Sequence, residues 1–441
     1  MSIKSVLKDE LECIIPDEKI VKQAKDFSKL FIQELNKELG GEGLEVQIFV
    51  GGSFAKNTFL KKDKYDVDVY VRFDWKYDNI SKLLEKSLKR LCDAKELKYE
   101  SLHGSRDYFR VFPSKEGNGF YIELIPVTKI RNPREARNVT DLSYFHVSYL
   151  KRKAKGLENE IRLAKRFMQA QNVYGAESYV HGFSGYAIEC LIIHYKSFEK
   201  MLKELVKVKH GERLVIDIEK HYKRKNDVFF ELNESKLHSP VIIVDPTFKE
   251  RNALASLNRE SFKKFQESAE KFLKNPDKSY FIEKSLDLDS LEMKSKKNNS
   301  EYLRVLLRTD RQKGDIAGTK LKKFHYFLEE ELKRYFEIIE HHFVYNEDKG
   351  QRAEVHIILK PKKEIIMIGP PVNPKDSKKK IRYMEKHVEA FKRAHKDVFK
   401  KNGFWHAREK VNFNGKGFLT NWVKNNGDKM KEMGVTELKV D

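Results

Sequence analysis

Two carboxylates one residue apart, Asp66 and Asp68, follow the segment Gly51-Gly52-Ser53-Phe54-Ala55-Lys56-Asn57-Thr58 at short spacing. In an extended chain the side-chain period of two puts both acids on one face. Carboxylates held that close repel unless cations sit between them, and hard oxygen ligands of this kind suit Mg²⁺. Paired glycines let backbone N–H groups approach a polyphosphate, while the Ser53 hydroxyl and the Lys56 ammonium add donors. Glu123, in a further extended stretch, could supply a third carboxylate. Together these parts suit two-metal phosphoryl or nucleotidyl transfer. One metal would lower the pKa of an attacking hydroxyl, and the other would steady a triphosphate and the departing pyrophosphate. Each part alone has a plainer reading. A DxD on a strand is most often a solvated polar face, a GGS most often a turn, and a carboxylate at a strand end can be a surface residue. Their conjunction carries the chemical reading.

The flanking pattern supplies the elements such a site needs. Ile20, Ala24, Phe27, Phe31, Leu35 and Leu39 recur at helical spacing behind Pro16-Asp17, predicting a helix over 18–39. Val46 to Val50 reads as a strand running into Gly51, and Val67/Val69/Val71 alternate with polar residues in a second strand ending at Phe73. Tyr121 to Val127 reads as a third strand carrying Glu123, and 8–13 and 79–96 read as helices. Further on, helices are expected over 156–171, 184–206 (Ser184 as N-cap), 250–274, 319–341 and 381–401. Strands are expected at 241–244, 300–310 and 352–368.

Composition narrows the class. The chain has 441 residues, 40% of them hydrophobic, with 29 Phe and 19 Tyr, enough for several cores and too apolar for wholesale disorder. A net charge of +21 predicts a polyanionic partner. Three scattered cysteines, Cys13, Cys92 and Cys190, exclude a disulfide framework or a CxxC knuckle. No apolar stretch reaches membrane-spanning length, and MSIKSVLKDELECIIP lacks the apolar core and cleavage site of a secretory signal, so a cytoplasmic protein is expected. Other motifs fall away. Gly314 to Lys320 is one residue short between its glycines for a P-loop, with Lys and Thr in the wrong order. His341 and His342, adjacent in an expected helix, point to different faces, and no zinc spacing is present. The three Trp and most Phe are assigned to cores.

GGSFAKNTFLKKDKYDVDVYVRF resembles the signature of polymerase-β-type nucleotidyltransferases. KGLENEIRLAKRFMQAQNVYGAESYVHGFSGYAIECLI and VDPTFKERNALASL are closely similar to the archaeal, class I CCA-adding enzymes, and a looser match continues through 319–410. The resemblance implies addition of C, C and A to the 3′ end of tRNA without a nucleic-acid template, from CTP and ATP with Mg²⁺. By motif, it places Ser53 and Lys56 on the triphosphate and Asp66, Asp68 and Glu123 on the metals. His146, Lys165 and Tyr174 would complete the nucleotide pocket, and Arg251, with Asp245 nearby, would contact the incoming base. Lys165 follows Arg162 by three positions, so both lie on one helix side and could face a phosphate. Two departures stand out. Glu123 occupies a position where the family typically has Asp, one methylene shorter, and Lys56 replaces the usual Arg, a point charge in place of a planar fork.

The resemblance also gives the basic charge a place. Residues 375–410 hold thirteen Lys/Arg against five Asp/Glu. In a helix over 383–401, Met384, Val388, Phe391, Ala394 and Val398 share one face, leaving Lys386, Lys392, Arg393, Lys396 and Lys400 outward to grip a phosphate backbone. Lys392, Arg393 and Lys396 are the expected RNA contacts. The expected architecture is α+β and multidomain. A polymerase-β-like nucleotidyltransferase head over 1–150 carries the catalysis, followed by a mostly helical central domain over 151–262 that binds nucleotide and tRNA. An α/β RNA-binding body and tail over 263–441 completes it. The expected partners are tRNA, with CTP and ATP as substrates, and no membrane; a homodimer is left open. The competing functions are a poly(A) polymerase-like terminal nucleotidyltransferase, which would use ATP alone, and a catalytically inactive RNA-binding protein.

Overall fold

The computed structural model describes residues 2–103, 106–113, 119–283, 286–311, 314–346, 350–372 and 378–441, the side chains of 378–384 excepted. They form two compact units, Met1–Ser285 and Leu286–Asp441.

The first unit opens with α1 (Ile3–Ile14) and α2 (Glu18–Gly41), where Asp17 Oδ1 caps α2 by accepting from Lys19 N at 2.8 Å. There follow β1 (Val46–Val50), the one-turn α3 (Gly52–Ala55), β2 (Tyr65–Phe73), α4 (Ile80–Lys95), β3 (Lys98–Leu102), β4 (Tyr108–Phe112) and β5 (Phe120–Thr128). The strands make one sheet in the order β1-β2-β5-β4-β3, with β2 and β5 parallel and the other pairs antiparallel. Val67, Val69 and Val71 are buried against Leu84, Leu88, Phe31 and Leu35 from α4 and α2. That burial fixes the register, because slipping by one residue would bury the acids in place of the valines.

The same unit continues with α5 (Ser143–Lys153), α6 (Glu158–Ala170), α7 (Gly185–Tyr195), α8 (Phe198–Leu205), β6 (Leu214–Asp217), α9 (Asp227–Glu231), β7 (Val241–Asp245), β8 (Phe248–Asn252) and α10 (Arg259–Lys274). Phe167, Phe198, Phe265, Phe272 and Phe281 pack together in its core. Ser184 caps α7, its hydroxyl accepting from Ala187 N at 3.2 Å, as expected. The contact division differs from the expected domain limits. Residue 150 lies inside α5, whose Tyr149 and Leu150 belong to this aromatic core, and residue 262 lies inside α10, whose Phe265, Ala269 and Phe272 close it.

The second unit has α11 (Leu288–Lys297), β9 (Glu301–Arg308), α12 (Asp315–Lys333), β10 (Phe336–Tyr345), β11 (Arg352–Pro361), β12 (Glu364–Pro371), α13 (Lys378–Ala394), β13 (Asp397–Lys401), β14 (Phe404–Lys410), α14 (Gly415–Glu432) and β15 (Glu437–Val440). The sheet β10-β11-β9-β15 is covered by α12 and α14 through Phe324, Leu328, Leu332, Leu419 and Trp422, and β12-β14-β13 form a separate sheet.

Several expected helices are shorter. The 184–206 helix breaks at Lys196, which has φ 68°, and restarts behind Ser197, whose hydroxyl accepts from Lys200 N. The apolar rhythm runs unbroken across that turn, so periodicity conceals it. The start of 250–274 is strand: β8 pairs back on β7, and ladder bonds override the local helical pattern. The 319–341 helix stops at Lys333, and Phe336–Tyr345, rich in aromatic and β-branched residues, pairs with β11. The 381–401 helix stops at Ala394, so Val398 sits on β13 and Lys396 in the turn before it; Met384 lies outside the described side chains. Of the tryptophans only Trp422 is buried, while Trp75 lies under Arg137 and Trp405 between lysines. The cysteines are free, as expected.

Candidate active site

Asp66 and Asp68 project from one face of β2, while the valines between and beyond them are buried on the other. In the parallel β2–β5 register Asp68 stands opposite Glu123, so the sheet brings the third carboxylate to the first two. Gly51 N donates to Asp68 O at 2.8 Å and ties the turn to the same strand. Both glycines are required by space. A Cβ on Gly51 would lie 2.3 Å from the Tyr70 ring, and one on Gly52 would lie 1.5 Å from Asp68 Oδ2, with φ +56° besides. The turn therefore passes within contact distance of the Asp68 carboxylate, and Ser53 follows it at the start of α3.

The acids are crowded. Burial, then Asp66 and Glu123, push the Asp68 carboxyl up to about 7, against the opposing pull of Lys56 and Lys62. Burial also raises Glu123, opposed by Arg110, whose Nε donates to Glu123 Oε1 at 2.9 Å. Lys62 is hydrogen-bonded to Asp66. Cationic side chains thus occupy the oxygens that a divalent ion would take. An all-carboxylate donor set short of positive charge fits a hard cation.

Lys56 and Lys165 meet at a residue that sequence reading missed. Glu189 on α7 is fully buried, accepting from Lys56 Nζ at 2.6 Å, Lys165 Nζ at 2.8 Å and Thr58 Oγ1 at 2.8 Å. Burial alone would raise this carboxyl; the two ammonium groups outweigh it and hold the pKa at about 2. The knot joins the segment after α3 to α6 and α7 and carries one surplus positive charge. Arg162 does share a helix side with Lys165, and both face the chain's own 57–59 segment: Arg162 Nη2 donates to Asn57 O at 2.8 Å and Nε to Phe59 O at 3.1 Å. The signal for Glu189 was available, since a lone acid inside AIECLII must find buried partners.

A second cluster forms around Asp245, fully buried at the end of β7. Its Oδ2 accepts from His146 Nε2 at 3.0 Å and Arg251 Nη1 at 2.7 Å, and its Oδ1 from Tyr186 OH and Thr247 N, both at 2.8 Å. Those donors hold Asp245 far below the usual carboxylate range despite burial, while burial lowers His146 against the opposing pull of Asp245. Tyr186, also missed from sequence, stacks on His146 with centroids 3.9 Å apart. Tyr174 is half-buried; burial, then Glu189, Asp66, Glu177 and Asp68, raise its phenol, which places it within electrostatic reach of the carboxylates.

The expected RNA contacts lie in the second unit. Lys392 and Arg393 occupy the last turn of α13, with Lys392 Nζ 4.1 Å above the Trp405 ring and Arg393 paired with Glu389 at 3.3 Å; Lys396 is exposed.

Residues 31–142 match the nucleotidyltransferase domain family. In fold alone the chain is similar to a solved RNA terminal uridylyl transferase, Cid1, with a TM-score of 0.50 at 12% identity, covering 65% of this chain and 100% of that one. Sheet order, turn and carboxylates define a polymerase-β-like nucleotidyltransferase fold. Residues 159–282 match the second domain of tRNA nucleotidyltransferases. The CCA-adding enzyme of Nanoarchaeum equitans is 40% identical over 278 residues, 63% of this chain and 64% of that one. Those of Pyrococcus abyssi (33%; 67% and 65%) and Archaeoglobus fulgidus (31%; 64% and 58%) are similar over comparable shares. The chain is thus similar to archaeal CCA-adding enzymes, and the matches span under two thirds of these relatives' own lengths. No helix among the described residues is long and apolar enough to cross a membrane.

Proposed function

We propose that the chain adds C, C and A to the 3′ end of tRNA from CTP and ATP, releasing pyrophosphate. The observation that supports this most is the pairing of Asp68 with Glu123 across parallel strands, with Asp66 on the same face and the Gly51–Ser53 turn against Asp68. Asp66, Asp68 and Glu123 would hold Mg²⁺, with Lys62 and Arg110 released from them. When bound, the ions supply a lowered pKa at the attacking 3′-hydroxyl and positive charge at the triphosphate.

The chain's own groups do the rest. The turn offers backbone N–H groups and the Ser53 hydroxyl to the phosphates, and the Lys56–Glu189–Lys165 knot keeps positive charge beside them. His146, Arg251 and Tyr174 border the nucleotide. Asp245 holds His146 and Arg251 in fixed directions, so the second ring nitrogen of His146 and the remaining N–H donors of Arg251 can read a base edge; a polar edge left unpaired is rejected strongly. The catalysis is assigned to 1–150, nucleotide and tRNA binding to 151–262, and tRNA binding to 263–441, where Lys392, Arg393 and Lys396 would hold the phosphate backbone.

The test is incubation with labelled CTP and then ATP on tRNAs ending at the discriminator base, at C, or at CC. Ordered addition that stops after A is expected. Incorporation of ATP alone would replace this reading with a poly(A) polymerase, and tRNA binding without incorporation would leave a catalytically inactive RNA-binding protein.

A further inference from the structure

His325 and Glu329 stand four residues apart on α12, the spacing that puts two side chains on one helix face. His341 reaches them from β10, which packs on that helix. The sequence reading set His341 and His342 aside as helix neighbours. On a strand they take opposite faces, and only His341 turns to α12, while His342 Nε2 bonds Glu340 Oε1 at 2.9 Å.

His325 Nε2 lies 3.1 Å from His341 Nδ1 and 4.0 Å from Glu329 Oε2, and His341 Nδ1 lies 3.7 Å from that same oxygen. The two carboxylate distances are too long for hydrogen bonds. The nearest point equidistant from the three atoms, in their own plane, is about 2.1 Å from each, close to the bond length at which imidazole nitrogen and carboxylate oxygen hold Zn²⁺. Among the described residues, this is the group of three such side chains whose ligand atoms all lie within 4.8 Å of one another.

The surroundings fix the ligands. His325 is fully buried with the Phe343 ring stacked on it, which fixes its orientation. Lys333 Nζ takes Glu329 Oε1 at 2.8 Å and leaves Oε2 for the third corner. His341, with about a third of its side chain exposed, opens the position to solvent, where water would complete four-coordination.

We propose that His325, Glu329 and His341 form a site for a divalent transition-metal ion of the Zn²⁺ class that fastens α12 to β10. Two nitrogens and one oxygen select it over the hard cations suited to the Asp66/Asp68 site.

The test uses the untagged full chain carrying Asp66→Asn and Asp68→Asn, which silences the carboxylate site. After chelator treatment it is titrated with Co²⁺ in excess Mg²⁺, reading visible absorption and melting temperature. One equivalent is expected, with the strong absorption of low coordination number and a raised melting temperature. His341→Ala, at a partly exposed position, should weaken binding by roughly 100-fold, since losing even an outer partner of a ligand costs about 10–100-fold. Glu329→Gln should weaken it likewise, while His342→Ala should leave it intact. Absence of a one-equivalent complex, or a complex that survives His341→Ala or is lost equally with His342→Ala, would overturn the proposal.

Discussion

Asp68 shows how crowding among buried acids is felt at a single residue. A carboxyl whose pKa rises on folding weakens the fold as pH climbs from the ordinary carboxylate range through the raised value, here about 7. The metal-free protein should therefore lose stability between pH 4 and pH 7 on account of this group. Asp68→Asn is expected to stabilise the metal-free chain by about 1–3 kcal/mol at pH 8 and by less than half of that at pH 5. Urea titrations in chelator at the two pH values measure the difference. A pH-independent effect would deny the crowding, and the variant should also abolish nucleotide incorporation. Glu189 poses the opposite case, a buried acid that two cations keep ionised. Glu189→Gln leaves Lys56 and Lys165 buried without their opposing charge, so a loss of about 3–5 kcal/mol is expected in the same titrations at pH 7.

Elements position these residues through backbone proximity as much as through side chains. The entry to α3 runs so close to β2 that Gly52 has no room for a methyl group beside Asp68. Gly52→Ala should displace the carboxylate or the turn and cut nucleotide incorporation by about 100-fold, the scale of a misplacement of about 1 Å. Gly43→Ala, at φ +72° with nothing within 4 Å, is the control: equal backbone strain, open space and unchanged incorporation. Steady-state kinetics on the two variants separates strain from position. At this scale the sequence was legible where one face is buried and one is polar, as in β2 and α2. It misled where periodicity crosses a turn, at Lys196, or where pairing with the neighbouring strand of a hairpin overrides a helical pattern, as for β8 on β7, β10 on β11 and β13 on β14.

For the whole molecule the dominant physical fact is its charge of +21. A sequence-independent grip on a phosphate backbone shows itself as salt dependence, because each neutralised phosphate releases counterions. Replacing Lys392, Arg393 and Lys396 together with Gln should flatten the log–log salt slope of tRNA binding by about 2 to 3. Incorporation at saturating tRNA should persist, since these residues lie in the 286–441 unit and the carboxylates in 1–285. An unchanged slope, measured by filter binding across salt concentrations, would remove them from the RNA contact. Lys392, held over Trp405, should account for the largest single share.

The order of residues was enough to reveal the GGS turn, the paired acids and the valine alternation behind them, because spacing along a strand or turn is a local property. From that alone chemistry on phosphate and divalent cations is expected, and the long motifs supplied the family resemblance. Which acid faces Glu123, where Lys56 and Lys165 discharge, what holds His146 and Arg251, and how His325 meets His341 depend on residues brought together from far along the chain. Only packing decides such pairings, since a buried charge or ring nitrogen takes whichever partner the folded core places within reach.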